Sequence, residues 1–327
     1  MFSSTTKKIA AVLLSAGLLA SVTVVHAKDD APMKIVIGFP AGGALDNMTR
    51  ALAEKLRLEL NRPIIVENRP GAGTQLAVRA VANSDPNGNT ILISPATPFV
   101  LFPLTYDSLP YDPDKDLVPV AHLADTPLVA STSVDSPYSS MQEYIDWVRK
   151  HPNQSGVGMV SLGGTLHFGL LRLNQNAGLQ LMPVAYKGAP AMLADEIGGI
   201  LPIGLDAVAA KSELERAGRI RYLGVSGTER SKLLPNVPTL LESGAPGFEL
   251  SSGWYAAFVP AGTPAATVEK LEKAMIEIVQ DPEFAEKMAQ LGMETTGRTS
   301  SDLASSIKSQ REKWRPIVEQ SGFRANQ

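Results

Sequence analysis

Two turns in the chain place adjacent glycines between an apolar run and an amphipathic segment: PAGGALD at residues 40–46 and VSLGGTLH at residues 160–167. These residue types suit holding an anion rather than attacking a bond. Gly42 with Gly43, and Gly163 with Gly164, let the main chain turn sharply and approach a ligand without side-chain interference. Each turn opens a helix, whose first N–H groups have no partner inside the helix and whose N-terminus carries partial positive charge. A carboxylate is the group such donors receive, directly or through water. The plainer reading is a glycine turn followed by a capped helix, with Asp46 as the N-cap bonding amides one or two residues ahead. On that reading of Asp46, the amides of Gly42, Gly43 and Ala44 stay free. Repetition of the device in both halves of the chain favours a ligand: two helix starts facing each other across a cleft grip two carboxylates, or both ends of one small acid. Ser161, Thr165 and His167 add polar groups to the second turn. His167 also stands at helical spacing from Leu170 and Leu171 and reads equally as a half-buried helix residue. Asp206 ends the run ILPIGLD and either faces the cleft or caps the following helix, and Tyr186-Lys187-Gly188 ends another apolar run.

Other chemistries find little support. The chain has no cysteine, which excludes a thiol nucleophile, thiolate metal ligands, disulfides and a lipid-modified cysteine. Gly71-Ala72-Gly73 lacks the third glycine of a dinucleotide fingerprint, and neither a phosphate-binding Gly-Lys-Ser/Thr loop nor a G-x-S-x-G elbow occurs. His122, His151 and His167 have no metal-ligand spacing, and Asp112, Asp114 and Asp116 lie among prolines without the glycine and distal glutamate of a calcium loop. No catalytic residue, metal or cofactor is expected. The rival class is an exported α/β enzyme acting on a small carboxylic acid, with Asp46, His167 or Asp206 as acid or base. A third reading is a sensory or interaction module whose cleft is vestigial.

The elements that must position these turns follow from composition and periodicity. The 327 residues are 44% hydrophobic and 19% charged, enough for about two domains. A formal net charge of −3 marks no nucleic-acid or anionic-membrane partner. The start differs from the rest: MFSSTTKK is followed by the uncharged IAAVLLSAGLLASVTVV and by Val25-His26-Ala27, the three regions of a secretory signal cleaved after Ala27. An uncleaved membrane anchor is the alternative. Cleavage removes Lys7 and Lys8 and leaves −3 − 2 = −5 on an exported, periplasmic chain whose core stands without disulfides.

Beyond the signal, strands alternate with helices. MKIVIGF, PIIVEN and NTILIS read as strands; 46–60 and 74–83 read as helices, the first with Met48, Leu52, Leu56 and Leu60 on one face. Residues 95–116 contain Pro95, Pro98, Pro103, Pro110 and Pro113 and are expected to be extended rather than helical. A second alternation runs from LVASTSV through VGMVS, LMPVAY and ILPIGLD to IRYLGVS, with helices between. Strands separated by helices imply parallel pairing and right-handed crossovers. After WYAAFVP the tail reads as helical, with Thr263 capping ahead of Pro264, Asp281 ahead of Pro282, and a capping box over 299–302. Lacking strands of its own, this tail is expected to pack on the first domain. The division is therefore 1–27 signal, 28–125 plus 250–327 a discontinuous first domain, and 126–249 a second, with a cleft outside the carboxyl ends of the strands.

A string of landmarks in order, PAGGALDNMTR, PIIVENRPGAGT, LPYDPDKDLVPV, GGTLHFG, AYKGAPAMLADEIGG, LPNVPTLLESGAPGFE and WYAAFVPAGTP, resembles the Bug receptors, the TctC-like extracytoplasmic solute-binding proteins of tripartite tricarboxylate transporters. The resemblance covers essentially the whole mature chain. It implies a two-lobed, Venus-flytrap, type II-like periplasmic binding protein of α/β class with its ligand cleft between the lobes. It implies a small carboxylated organic ligand held by backbone and water contacts, a monomer, and a membrane permease or sensor kinase as partner. By position, the resemblance assigns Phe39, Ala41, Gly42, Gly43 and Asp46 to the first ligand turn. Ser161, Gly163, Gly164, Thr165 and His167 form the second, and Ser94, Thr97, Tyr186 and Asp206 come from neighbouring strand ends. Met159, Val160 and Leu162 depart from the small residues of many relatives and imply a narrower or more apolar second wall.

Overall fold

The alternation of apolar runs and amphipathic helices builds two sheets. In the computed structural model, which describes residues 32–160 and 162–325, β1 (Met33–Ile37) passes through the first glycine turn into α1 (Ala44–Glu59). β2 (Ile64–Asn68), α2 (Gln75–Ala82) and β3 (Thr90–Pro95) follow, then the one-turn helices α3 (Thr97–Val100) and α4 (Phe102–Thr105). β4 (Leu117–Thr126) continues across Pro127 into β5 (Leu128–Ser133). Next come α5 (Met141–Lys150), β6 (Gly156–Met159), α6 (Thr165–Ala177), β7 (Met182–Ala185), α7 (Ala189–Ile197), β8 (Ile203–Ala207), α8 (Val208–Arg216) and β9 (Ile220–Val225). The chain ends with β10 (Gly253–Pro260), α9 (Ala265–Gln280), α10 (Pro282–Gln290), β11 (Glu294–Thr299) and α11 (Ser300–Ser321). One sheet has the order β11-β4-β10-β3-β1-β2 and the other β7-β6-β8-β5-β9, giving a two-lobed molecule. The signal segment lies outside the described residues, as does Ser161.

The sheets are mixed, not parallel throughout. β1 pairs in parallel with β2 and β3, and β6 with β7 and β8. β10 is antiparallel to β3 and β4, β11 to β4, and β5 to β8 and β9. The exceptions are the strands that cross between lobes or close an edge. β5 and β10 enter their sheets from the other lobe rather than through a βαβ crossover, so nothing forces them parallel, and β11 keeps the direction of β10.

Four elements depart from the sequence reading. Residues 95–116 contain α3 and α4 because Pro98 and Pro103 sit in the first turn of each, where a missing N–H needs no partner. Burial of Phe99, Val100, Leu101 and Phe102 then holds those turns in place. β4 was hidden by Pro119, His122 and Asp125, and its pairing with β10 shifts register beside Pro119, a position suited to proline. β11 is a further strand within the tail. Thr263 does not cap α9: its hydroxyl donates to the Pro260 carbonyl at 2.7 Å, and Pro264 is the N-cap. The Asp281 cap and the Thr299–Asp302 capping box form as expected.

Packing explains how the turns are held. One face of the six-stranded sheet buries Ile35, Ile37 and Ile93 against Leu52, Met275 and Phe284; the other buries Val36, Leu92 and Phe258 with Phe99 and Trp314. The second sheet buries Val157, Ile203 and Leu205 with Tyr144. α6 serves both lobes. Leu170 and Leu173 enter the second lobe's core, while Phe168 enters the cluster of Phe99 and Trp314 in the first.

Candidate functional site

The two glycine turns have the same backbone. Gly42 and Gly163 adopt φ of +87° and +78°, which glycine reaches without strain. The next residue in each, Gly43 and Gly164, is the helix N-cap, at φ/ψ of −78°/171° and −90°/175°. In each turn the side chain four residues beyond the first glycine folds back onto that glycine's N–H. Asp46 Oδ2 accepts from Gly42 N–H at 2.9 Å, and His167 Nδ1 accepts from Gly163 N–H at 3.1 Å.

Asp46 is therefore not the N-cap, and the Gly42 amide is not free. Its carboxylate also accepts from Arg50 Nε at 2.8 Å and from Asn68 Nδ2 at 2.9 Å. Asn68 Nδ2 donates as well to the Phe39 carbonyl at 3.0 Å, so one amide at the end of β2 stitches both arms of the turn. The bond from Arg50 is the main reason the Asp46 carboxyl sits low, at about 2; the Gly42 and Asn68 bonds add to it and burial opposes it. Arg50 stands at i+4 from Asp46, a spacing visible in the sequence, whereas the part played by Asn68 depends on the pairing of β1 with β2. Among the described residues, the N–H groups of Gly43 and Ala44 meet no acceptor, and neither do those of Gly164 and Thr165.

His167 is 4% exposed. Its Nδ1 accepts a hydrogen bond, so the ring is neutral with its proton on Nε2. Burial lowers its pKa and favours the same form. His167 thus shapes the turn. The Thr165 carbonyl is fixed by the Ser251 hydroxyl at 2.8 Å.

The remaining residues divide. Phe39 is 36% exposed, and Ala41, Gly42 and Gly43 are exposed with it. Ser94 is buried, its hydroxyl directed to the Pro95 carbonyl at 3.2 Å, and Thr97, half-buried, opens α3. The Tyr186 hydroxyl donates to Asp195 at 2.9 Å and is already engaged. Asp206 does not cap α8, whose N-cap is Ala207. Its Oδ1 accepts from Ala207 N–H at 2.8 Å, while Oδ2 is buried and has no partner among the described residues. Burial raises the Asp206 pKa. The Asp206 charge reaches Tyr255 of β10 in the opposite lobe, whose pKa burial chiefly, and Asp206 in addition, push up to about 12. Val160 and Leu162 are about two-fifths exposed, at 40% and 42%, whereas Met159 is buried in the second core and forms no wall.

Two cavities, of about 330 and 350 Å³, lie elsewhere. The first is lined by residues including Asp125, Trp254, Glu294 and Arg298, the second by Lys34, Asn83 and Asp85, and neither includes a glycine-turn residue. In the first, Arg298 is already paired with Asp125 at 2.8 Å. The unpaired donors lie instead on the two turns, where Gly43 is exposed and Ala44, Gly164 and Thr165 are half-buried.

Comparison with known proteins adds a family and a fold. Residues 48–323 match the family described as the tripartite tricarboxylate transporter family receptor. A protein from the tcbD-tcbE intergenic region of Pseudomonas sp. (strain P51) is 32% identical over 297 residues, 90% of this chain and 88% of that one. Among solved structures, R. palustris Rpa4515 with adipate superposes with a TM-score of 0.81 at 27% identity, covering 90% of this chain and 98% of its own. The periplasmic binding protein BugD gives 0.78 at 29%, covering 90% and 99%. MatC from Rhodopseudomonas palustris with bound malate gives 0.76 at 26%, covering 88% and 98%.

Proposed function

The chain belongs to the tripartite tricarboxylate transporter family of receptors, and from that premise we propose that it captures a small carboxylate-bearing organic acid between its two lobes. The observation that carries this reading is the twin turn: unpaired amides of Gly43 and Ala44 in one lobe, and of Gly164 and Thr165 in the other, on matching backbones. Such amides stabilise a carboxylate without a reactive group. Adipate in Rpa4515 and malate in MatC support the ligand class. Phe39, Ala41, Val160 and Leu162 supply exposed apolar surface for a carbon chain, and Ser94, Thr97 and Tyr186 edge the site. The unpartnered Asp206 Oδ2 favours a ligand that brings a hydrogen-bond donor, such as a hydroxyl, to the second lobe.

In this reading the ligand is bound without turnover. Asp46 is held by Arg50, Gly42 and Asn68, and His167 Nδ1 is taken up by the Gly163 N–H, so both side chains serve the shape of the turns. The segment 1–27 directs export and is cleaved after Ala27. Residues 28–125 with 250–327 form one lobe and 126–249 the other, in keeping with the division of the strands between the two sheets. The loaded receptor acts as a monomer and serves a membrane permease or a sensor kinase. Thermal melting against adipate, malate, other mono- and dicarboxylates and a neutral sugar tests the ligand class, because a ligand that binds only the folded state raises the melting temperature. A rise with an acid and none with the sugar is expected; the reverse pattern refutes the carboxylate reading.

A further inference from the structure

We infer that Phe323 is a positioning residue for the second glycine turn, so that the C-terminus of one lobe braces the ligand donors of the other. α11 ends at Ser321, Gly322 turns the chain at φ +65°, and the Phe323 N–H donates to the Ser321 hydroxyl at 3.1 Å. Two residues on, the Ala325 N–H donates to the Thr105 carbonyl at 3.0 Å. The tail is therefore pinned on both sides of Phe323, and the ring is delivered to a fixed place. It meets His167 edge-on, with centroids 5.0 Å apart and planes at 72°, and meets Phe168 at 5.8 Å and 86°. A Cβ placed on Gly163 would lie 2.8 Å from a Phe323 ring carbon, so the ring also touches the turn itself. Phe323 thus contacts both partners of the Gly163–His167 hydrogen bond.

The location makes this contact consequential. A turn built on two glycines has no side chains of its own to hold it. Its shape rests on the His167 acceptor, on Ser251 beneath Thr165, and on the Phe323 ring. The same rim of the first lobe reaches the first turn. The strap binds α4 at Thr105, Phe102 of α4 packs on Gly73, and the neighbouring Thr74 packs on Gly38 just before the first turn. Both turns are linked through one continuous layer of contacts. An edge-to-face aromatic contact of this kind is worth a several-fold change in a local opening equilibrium.

The proposal rests on the reading of the second turn as a ligand turn, and the test separates the two. Phe323→Ala and Phe323→Tyr are made in the full chain. Hydrogen exchange is followed without ligand at residues 162–168 and through the core strands, and adipate binding is measured by calorimetry. The expected result is roughly fivefold faster exchange at the turn in Phe323→Ala, core strands unchanged, and recovery in Phe323→Tyr. Adipate affinity falls by a similar factor in the Ala variant alone. Unchanged exchange at the turn, acceleration spread uniformly over the chain, or a Tyr variant that behaves like the Ala variant overturns the inference. Should Phe323→Ala fail to fold, Phe323→Leu, which keeps bulk but not the ring, takes its place under the same criteria. If the wild-type protein binds no carboxylate, the ligand reading fails while the exchange data still decide the role of Phe323.

Discussion

Asp46→Asn isolates a charge at the centre of the first turn. Asparagine keeps an oxygen for the Gly42 N–H and loses the ion pair with Arg50, so the change reads electrostatics more than shape. The folded carboxyl sits at about 2, against 3.8 when unperturbed. A difference near 1.8 units corresponds to at most about 2.4 kcal/mol of stability at neutral pH. That ceiling is too high, because the main cause is Arg50, whose side chain is 50% exposed and screened by water, while the Asp46 side chain is 3% exposed. Discounted for that screening, about 1.5 kcal/mol is the expected loss at pH 7, with the Arg50 bond still its largest part. The sign follows from a lowered pKa. The stabilisation is complete above the unfolded value near 3.8 and is lost as pH falls through about 2. Urea unfolding of both proteins between pH 7 and 3 reads this out. Other carboxylates, Asp281 and Asp302 among them, are also lowered, so both proteins weaken in acid and only their difference reports Asp46. A gap that stays constant as the pH drops, or that falls below about 0.5 kcal/mol at neutral pH, refutes the assignment of the charge.

Three further outcomes are expected. In the second lobe, Lys211 Nζ lies 2.8 Å from Glu196 and 2.6 Å from the Ser131 hydroxyl with both charged side chains fully buried; Lys211→Met should cost about 3–5 kcal/mol in chemical denaturation, and adding Glu196→Leu should recover much of it. Gly43→Val should leave the melting temperature nearly unchanged, since its φ is −78° and a Cβ there meets only the Pro40 carbonyl at 3.9 Å, yet should weaken, in calorimetry, binding of any carboxylate that stabilises the wild-type protein, by covering the amides. Burial and then Arg298 hold His122 neutral, at about 3, so its 3.4 Å approach to Asp125 is no ion pair. Burial lowers His167 likewise. With both held neutral in the fold, stability is full above about pH 6.5 and declines as the unfolded chain takes up protons below it, while the ring signals of His122 in NMR should keep their neutral shifts at pH 5.

What the sequence disclosed follows what local pattern can encode. β1 with α1, and β6 with α6, were legible because a short apolar run, a glycine pair and a 3.6-residue stripe lie side by side. β4 was not, because Pro119, His122 and Asp125 break its pattern and its strand character comes from β10 and β11 on either side. The same limit applied at the site. The glycines and the residues four places beyond them could be found by spacing, but their roles could not. Asp46 and His167 hold the turns, a duty that appears only when Gly42 and Gly163 are seen to donate to them. Asn68 and Phe323 carried no local signal, because strand pairing and the course of the C-terminus bring them there. The family landmarks located the turns without disclosing what supports them.

The two turns share a backbone and differ in charge, and that difference has a consequence for any anion they hold. Behind the second turn stands a neutral imidazole. Behind the first stands a carboxylate, and an anion received by Gly43 and Ala44 would lie on the order of 6 Å from it, one hydrogen bond beyond another. Unopposed, two such charges repel by roughly 0.7–3 kcal/mol for effective dielectric constants between water and a protein surface. Arg50, bonded to Asp46 at 2.8 Å, cancels that repulsion. On the proposed ligand reading, Arg50 then acts on binding without touching the ligand. For a carboxylate that raises the wild-type melting temperature, Arg50→Gln should weaken binding several-fold at low salt and less at high salt, as screening replaces the lost cation. Asp46→Asn combined with Arg50→Gln removes both charges and should restore most of the affinity. If the single Arg50 variant binds as tightly as the wild type at low ionic strength, or the double variant binds no better than Arg50→Gln alone, the turn tolerates the bare carboxylate and the electrostatic account of the first lobe is wrong.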